Sequence, residues 1–477
     1  MTLKSGRKLA VVGALSILAI SSLALHAAAA DGDLAPPRTA HDERYKADIL
    51  LVIAHPDDET GDVATYLSRA IFDEHRKVAV VCITRGDAGG NSVGGTRQAA
   101  LGAQREIEAR QALAFLGIKN VWFLDAHDTP EQDVLSSLEH WDHGSVLGQV
   151  VRLVRMTQPA VVITWLPNVV AGENHADHQA ASVVATEAFD LAGDPTAFPE
   201  QVADVQKDLR INAEGLRPWQ PQKLYYYTDA FDASGYWLST PVPSSPFRKN
   251  FLDGAGPMYA ATDVSGSRHL SYARLSAEET SFYLTQDGGV GQKALESGSF
   301  KDFEYPMRFI FGKSLVGGTM TGDIFEGVTA VEIPFSRAPG FRADIARNKP
   351  VDLGGPWGFY REFWKAHGVE HIAKLLPVPE MRCKAGANVH IPMVLRNEGT
   401  VDQEFRLHAE LPDDWSDRTR NQTYRVPAGG SYSLEAIIEV PQSESSGWKE
   451  VTWNAESNRK QIGSVKVHLL VMRAEAQ

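Results

Sequence analysis

Cysteine is nearly missing from this chain: among 477 residues there are two, Cys82 inside an apolar run and Cys383 far downstream, and neither belongs to a CxxC pair. That count excludes a cysteine-based zinc site. It leaves two readings for the pair itself, a disulfide suited to an exported protein or two buried free thiols. Positive charge is in deficit as well. Lys and Arg total 47 against 60 Asp and Glu, a net charge of −13, and no cluster of basic residues breaks the pattern. Tight binding to a phosphate backbone needs such clusters, so nucleic acid is not an expected partner. Short-period repeats and low-complexity tracts are also lacking, which sets solenoids aside.

One long apolar run is present, at the N-terminus. "MTLKSGRK" carries the positive charges, "LAVVGALSILAISSLAL" the apolar stretch, and Ala28-Ala29-Ala30 a small-residue exit before Asp31. This reads as a cleavable secretory signal over residues 1–30, giving an exported protein, periplasmic or secreted, with no stable membrane span after cleavage. The alternative is an uncleaved anchor, since the run approaches the roughly 20 residues that cross a bilayer.

The remaining sequence, 43% hydrophobic and 22% charged over the whole chain, has an ordinary globular balance and length for two or three domains. Across residues 45–228 short apolar runs ("ADILLVIAH", "KVAVVCITRG", "NVWFLDA", "PAVVITWLP", "KLYYYTD") alternate with amphipathic stretches. That alternation predicts an α/β fold, a Rossmann-like and mostly parallel sheet with helices on both faces. Residues 229–376 are irregular and read as an extension of the catalytic domain. Within them "SYARLSAEETSFYLTQDGG" has the spacing of an amphipathic helix. Residues 377–477 alternate polar and apolar positions between turns, the pattern of an all-β sandwich.

Ligands of a mostly parallel sheet gather at the carboxyl ends of its strands. His55, Arg85, Asp125 and Trp165 fall at such ends, and so does the crowded "HPDDE" of residues 55–59. Pro and acidic residues in a first turn are also what an ordinary well-capped helix start contains, so a second cluster has to decide. "NHADH" supplies it, placing His175, Asp177 and His178 after the strand "AVVITW" at the start of another helix. If the two strands are neighbours, His55, Asp58 and His178 converge on one point. Two imidazoles and a carboxylate with an open fourth position suit catalytic Zn²⁺. Such a metal lowers the pKa of its water to about 7, and Asp57 stands ready to take the proton. His175 is left to donate to a developing oxyanion, with Asp177 to orient it.

"AHPDDE" followed by "HADH" resembles the PIG-L (LmbE-like) family of zinc-dependent N-acetylglucosaminyl de-N-acetylases. The resemblance implies zinc on His55, Asp58 and His178, Asp57 as general base and His175 as the group that polarises the scissile carbonyl. It implies an amino-sugar substrate, a small glycoside or a glycan end. "TRGDAGG" and "QREIEARQALAFLGI" resemble further family segments, making Arg85 and Arg105 candidates for the sugar pocket; Arg105 and Glu108 also have the spacing of a plain i,i+3 ion pair. In a late segment that usually reads His-x-Ser-Gln, this chain carries Tyr283 and Thr285 instead. The resemblance spans roughly residues 47–300 and leaves the C-terminal module without an inherited role: a stabilising lid or a glycan-docking domain. Tyr225, Tyr226, Tyr227, Tyr236 and Trp237 either stack on sugar faces or fill the core. Two other functions share these residues, an inactive carbohydrate-binding protein on the same fold and a metallophosphatase using Asp87 and Asp125.

Overall fold

The computed structural model describes residues 42–130, 133–168, 175–203, 214–228, 246, 253–335, 349–376 and 378–472. The expected signal segment, Tyr236 and Trp237 lie outside them. Among the described residues no helix is long and apolar enough to cross a membrane.

Five short runs rich in β-branched and aromatic residues become parallel strands: β1 (Ile49–Ile53), β2 (Val78–Cys82), β3 (Asn120–Phe123), β4 (Val161–Trp165) and β5 (Lys223–Tyr227). An antiparallel edge strand, β8 (Ile310–Ser314), completes the order β3-β2-β1-β4-β5-β8. β1, β2, β4 and β5 are buried at every position, as strands covered on both faces must be. On one face Leu50, Val52, Ala79 and Val81 pack with α4 (His143–Thr157) and α5 (Ala176–Leu191), with α3 (Val134–His140) beside them. On the other, Ile49, Leu51, Val78 and Val80 pack with α1 (Asp62–Phe72) and α2 (Gln98–Leu116). The α/β core expected from the sequence is therefore present. β1 sits between β2 and β4, so the chain leaves the centre of the sheet in both directions at the point where ligands bind.

The described part of residues 199–217 forms a small unit of its own, in which the one-turn helix α6 (Pro199–Val202) is closed by Glu214 N donating to Glu200 O at 3.1 Å.

The stretch read as one amphipathic helix from residue 271 is divided. α7 (Tyr272–Thr280) packs on α1, residues 281–287 turn, and α8 (Gly288–Ser297) follows. The turn exists because Tyr283, Thr285 and Gln286 direct their side chains to other elements, as described below. A two-residue ladder, β6 (Met258–Tyr259) with β7 (Met307–Arg308), closes this region.

The C-terminal module has two facing sheets, β10 (Glu380–Lys384), β17 (Lys460–Met472), β16 (Gly447–Ser457), β12 (Gln403–Glu410) and β14 (Thr423–Val426) against β13 (Ser416–Asp417), β15 (Ser431–Glu439), β11 (Asn388–Arg396) and β9 (Val351–Leu353). Alternate residues point inward, among them Ile391, Met393, Leu395, Val451, Trp453, Val467 and Leu469. β9 comes from the segment that the sequence assigns to the catalytic extension, yet it pairs with β11. α9 (Pro356–His367), which follows it, returns to the α/β core. There Tyr360 Oη donates to Gln179 Oε1 at 2.6 Å and Trp364 Nε1 to Pro167 O at 2.9 Å. His367 Nδ1 lies 2.7 Å from Asp190, whose other oxygen takes Lys313 Nζ at 2.6 Å. Cys82 and Cys383 are both buried and unpaired.

Candidate active site

β1 ends at Ile53, and the chain turns at once through Ala54-His55-Pro56-Asp57-Asp58 toward α1. Asp58 folds back over the strand end it has just left. Its Oδ2 accepts from Ala54 N at 2.8 Å, His55 N at 3.0 Å and Trp165 Nε1 at 2.8 Å. With that oxygen occupied, Oδ1 faces the imidazoles, 3.5 Å from His55 Nδ1 and 3.1 Å from His178 Nε2. Burial opposes ionisation of Asp58, but His178 and His55 outweigh it and hold the carboxyl well below its usual range.

These separations test the expected metal. Ligand atoms about 2.0–2.1 Å from one tetrahedral ion stand roughly 3.3 Å apart, and the two measured gaps bracket that value. The residues fit. His55 Nε2, on the far side of the ring, is 3.2 Å from Asp128 Oδ1 and 3.5 Å from Asp177 Oδ2, close but not aligned for a hydrogen bond. A carboxylate behind a ligating imidazole is what fixes its tautomer and basicity. Nitrogens of His55, His175 and His178 also lie within 4.8 Å of one another, so three imidazoles are a second possible ligand set. The orientation of Asp58 favours the first.

His178 is held by stacking. Its ring lies 3.9 Å from that of Trp165 at an interplanar angle of 12°, and Trp165 is itself fixed by the bond to Asp58. Tyr227 Oη reaches Asp58 O at 3.2 Å, bringing β5 to the same point. Tyr225, Tyr226 and Tyr227 are buried in β5 and its surroundings, so of the two readings offered for them the core is the one observed.

His175 is the N-cap of α5, with Nδ1 accepting from Asp177 N at 3.4 Å. Accepting there leaves the ring proton on Nε2, the tautomer a donor needs. Burial, then the neighbouring His178 and His55, push its pKa down to about 2, so the ring is neutral at physiological pH. Asp177 does not orient His175 as expected. Its carboxylate turns the other way, accepting from Thr129 N at 2.8 Å, Thr129 Oγ1 at 2.6 Å and Ser137 Oγ at 2.5 Å beside His55. Burial resists its charge, but His55, Ser137 and Thr129 hold the pKa down at about 2.

Asp57 has φ 101°, a left-handed backbone that an L-residue adopts only where its surroundings impose it. Burial, Asp287 and Asp58 raise its pKa well above the ordinary carboxyl, against Arg105 and His55. A carboxylate raised in this way is suited to taking a proton.

Arg85 and Arg105 stand close to the site with their guanidinium groups engaged by protein. Arg85 Nε meets Glu106 Oε2 at 2.9 Å, and Nη1 meets Leu124 O at 2.7 Å and Asp125 Oδ1 at 3.3 Å. Arg105, 6% exposed, donates to Gly86 O at 2.6 Å and Gly90 O at 2.7 Å. A Cβ at Gly89 would meet its Nη1 at 2.7 Å, which is why the loop is glycine there. Glu108 is not its ion-pair partner; it accepts from Thr285 Oγ1 at 2.7 Å. Asp125 points to solvent, its side chain 94% exposed.

Sequence reasoning missed Asp128 and Asp287, and it gave no role to Glu59 of the crowded "HPDDE" or to Tyr283, noted only as a departure from the family pattern. Asp128 had a signal of its own, an acidic residue shortly beyond the end of β3.

A family model described as PIG-L, GlcNAc-PI de-N-acetylase, matches residues 50–189, which hold both histidine clusters. A 1D-myo-inositol 2-acetamido-2-deoxy-alpha-D-glucopyranoside deacetylase 1 from Frankia casuarinae is 30% identical over 321 residues, covering 59% of this chain and 94% of that protein. The chain belongs to the PIG-L family. Another PIG-L-like relative of the same name, from Catenulispora acidiphila, is 28% identical and is covered over 89% of its length. The N,N'-diacetylchitobiose deacetylase of Pyrococcus horikoshii overlays with TM-score 0.36 and 17% identity, covering 64% of this chain and 94% of that one, too distant to carry functional detail. PIG-L membership covers the α/β core; the matched segment ends before β5 and the sandwich.

Proposed function

We propose that this chain is an exported, zinc-dependent amide hydrolase that removes the acetyl group from an N-acetylated amino sugar of the N-acetylglucosamine type. The observation that carries the reading is Asp58 Oδ1 between His55 and His178, with the neutral, N-capped His175 ring 4.7 Å from that of His55. The names of the relatives supply the substrate class.

Zinc, when bound, acidifies water and polarises the amide carbonyl. His55, Asp58 and His178 would hold it. Asp57 takes a proton from the attacking water, and its raised pKa lets it pass that proton on to the departing amine. His175 presents Nε2–H to the oxygen on which negative charge grows. Asp177 and Asp128 keep the His55 ring oriented, and Trp165 excludes solvent from the face of His178. Arg105 supports the site from behind by fixing the Gly86–Gly90 loop, and Arg85 braces the neighbouring strand end.

Export rests on the charged, apolar and Ala-rich composition of residues 1–30. Intact mass of protein recovered from the cell envelope or medium tests it: a mature chain starting near Asp31 supports export, and retention of Met1 contradicts cleavage. For the activity, acetate release from a panel of N-acetylglucosamine glycosides is measured on protein whose metal content is determined in the same sample. Release that tracks zinc supports the assignment. Full zinc occupancy with no acetate from any 2-acetamido sugar overturns the substrate class.

A further inference from the structure

Backbone bonds within the turn that presents Asp57 are sparse, Asp58 N to His55 O at 3.4 Å and Thr60 N to Asp57 O at 2.9 Å. They do not by themselves account for a left-handed aspartate. Three side chains from the segment around the end of α7 grip the turn on both sides of it. Gln286 Nε2 donates to Pro56 O at 2.5 Å, ahead of Asp57; behind it Tyr283 Oη donates to Glu59 Oε1, and Ser276 Oγ donates to Gly61 O at 2.6 Å.

The middle contact is chemically expensive. Glu59, Tyr283 and the neighbouring Glu279 are all 0% exposed. Among the described residues Glu59 Oε2 and Glu279 Oε1 have no hydrogen-bond partner, and the groups that bear on Glu59 are Tyr283, Asp58 and the backbone of Asp57 and Glu59. Burying acidic groups this way opposes folding, and leucine and phenylalanine would fill the space more cheaply. What the polar pair adds is a fixed distance and direction between α7 and the turn.

The geometry points to Ser276–Gln286 as a clamp on the Pro56–Gly61 turn, with Tyr283, acting through Glu59, as a positioning residue that holds Asp57 in its strained conformation. The kinetic arm of the test rests on the deacetylase reading; the melting arm does not.

Tyr283→Phe removes one hydroxyl and keeps the ring. With acetate release as readout, kcat falls by between roughly tenfold and a hundredfold, the scale of a small misplacement of a reacting group, while KM and bound metal stay as in the unaltered protein. A fall in KM-type binding or in metal content instead of kcat overturns the positioning role, as does unchanged kcat. Glu59→Gln, which keeps an acceptor for Tyr283, loses less turnover than Glu59→Leu; equal losses count against the proposal. The second arm compares melting temperatures of Asp57→Gly and Asp57→Ala, which both lose the carboxylate but differ in tolerance of φ 101°. With Tyr283 present the glycine variant melts about 2–4 °C higher. Combined with Tyr283→Phe that gap closes, because the released turn has already relaxed. A gap of the same size in both backgrounds overturns the clamp even if every enzyme form is active. If the unaltered protein releases no acetate, the deacetylase reading fails while this gap still decides the clamp.

Discussion

In the α/β core β1, β2, β4 and β5 bury every residue, whereas β11, β12 and β16 of the sandwich bury mainly alternate ones. Strands covered on both faces have only their ends left for polar chemistry, and the core places His55, Asp58, Thr129, Trp165 and His178 at or just beyond such ends. The sandwich keeps polar residues along its outer faces, spread over its length. Among the described residues both clusters whose ligand atoms lie within 4.8 Å of one another, His55 with His175 and His178 and His55 with Asp128 and Asp177, lie in the core. The sandwich meets the core through α9, whose Tyr360 and Trp364 reach Gln179 on α5 and Pro167 just after β4. Chemistry thus depends on where strands stop, and the sandwich contributes through what it packs against.

The sharpest break of this comparison is His178→Ala. Metal content by elemental analysis should fall from about one zinc per chain, the stoichiometry of a three-ligand catalytic site, to a small fraction of that, while the sandwich stays folded. Retained metal would rule out both ligand sets, His55 with Asp58 and His178 or the three imidazoles, since each contains His178. Next comes Asp57→Asn, which should keep the metal and lose on the order of 10²- to 10⁴-fold in turnover; Asp58→Asn should lose metal first. If the two neighbours behave alike, their division of labour is wrong.

On the sandwich side, Trp453→Ala empties a fully buried position and should cost about 3–5 kcal/mol in urea unfolding, with turnover per folded molecule unchanged. A loss of metal in this variant would show that the two regions are not separable. Tyr360→Phe has the smallest effect, about 1 kcal/mol for a buried hydrogen bond. It should appear as a small shift in the unfolding midpoint of the core, and no shift would mean that Gln179 satisfies itself elsewhere.

Most of the core was legible because its signals are local. Apolar runs gave β1 to β5, and the two motifs at the ends of β1 and β4 gave His55, Asp58 and His178, which the structure brings together. Asp177 was found but its direction was not, since nothing local says that Thr129 and Ser137 would claim its carboxylate. Asp125 was noticed and Asp128 was not, although the second turns inward. Glu59, Tyr283 and Asp287 depend on α7 crossing the first turn, a contact more than 200 residues away in sequence, 224 for Tyr283 and Glu59. β9 hid for a related reason: three residues of strand carry too little pattern to reveal that they pair with β11.

The carboxylate of Asp58 is a meeting point for segments far apart in sequence, and that sets the order of events during folding. Its partners on β1 are adjacent, but Trp165 lies 107 residues away, His178 120, and Tyr227, which reaches its backbone oxygen, 169. Parallel pairing over such separations forms slowly, after the loop-closure cost has been met. A metal held by His55, Asp58 and His178 would therefore find its site only late, once β4 and β5 have joined β1, and could not act as a nucleus in the way a short-range zinc clip does. Zinc added to the folded protein should raise its resistance to unfolding by mass action while leaving its folding rate almost untouched.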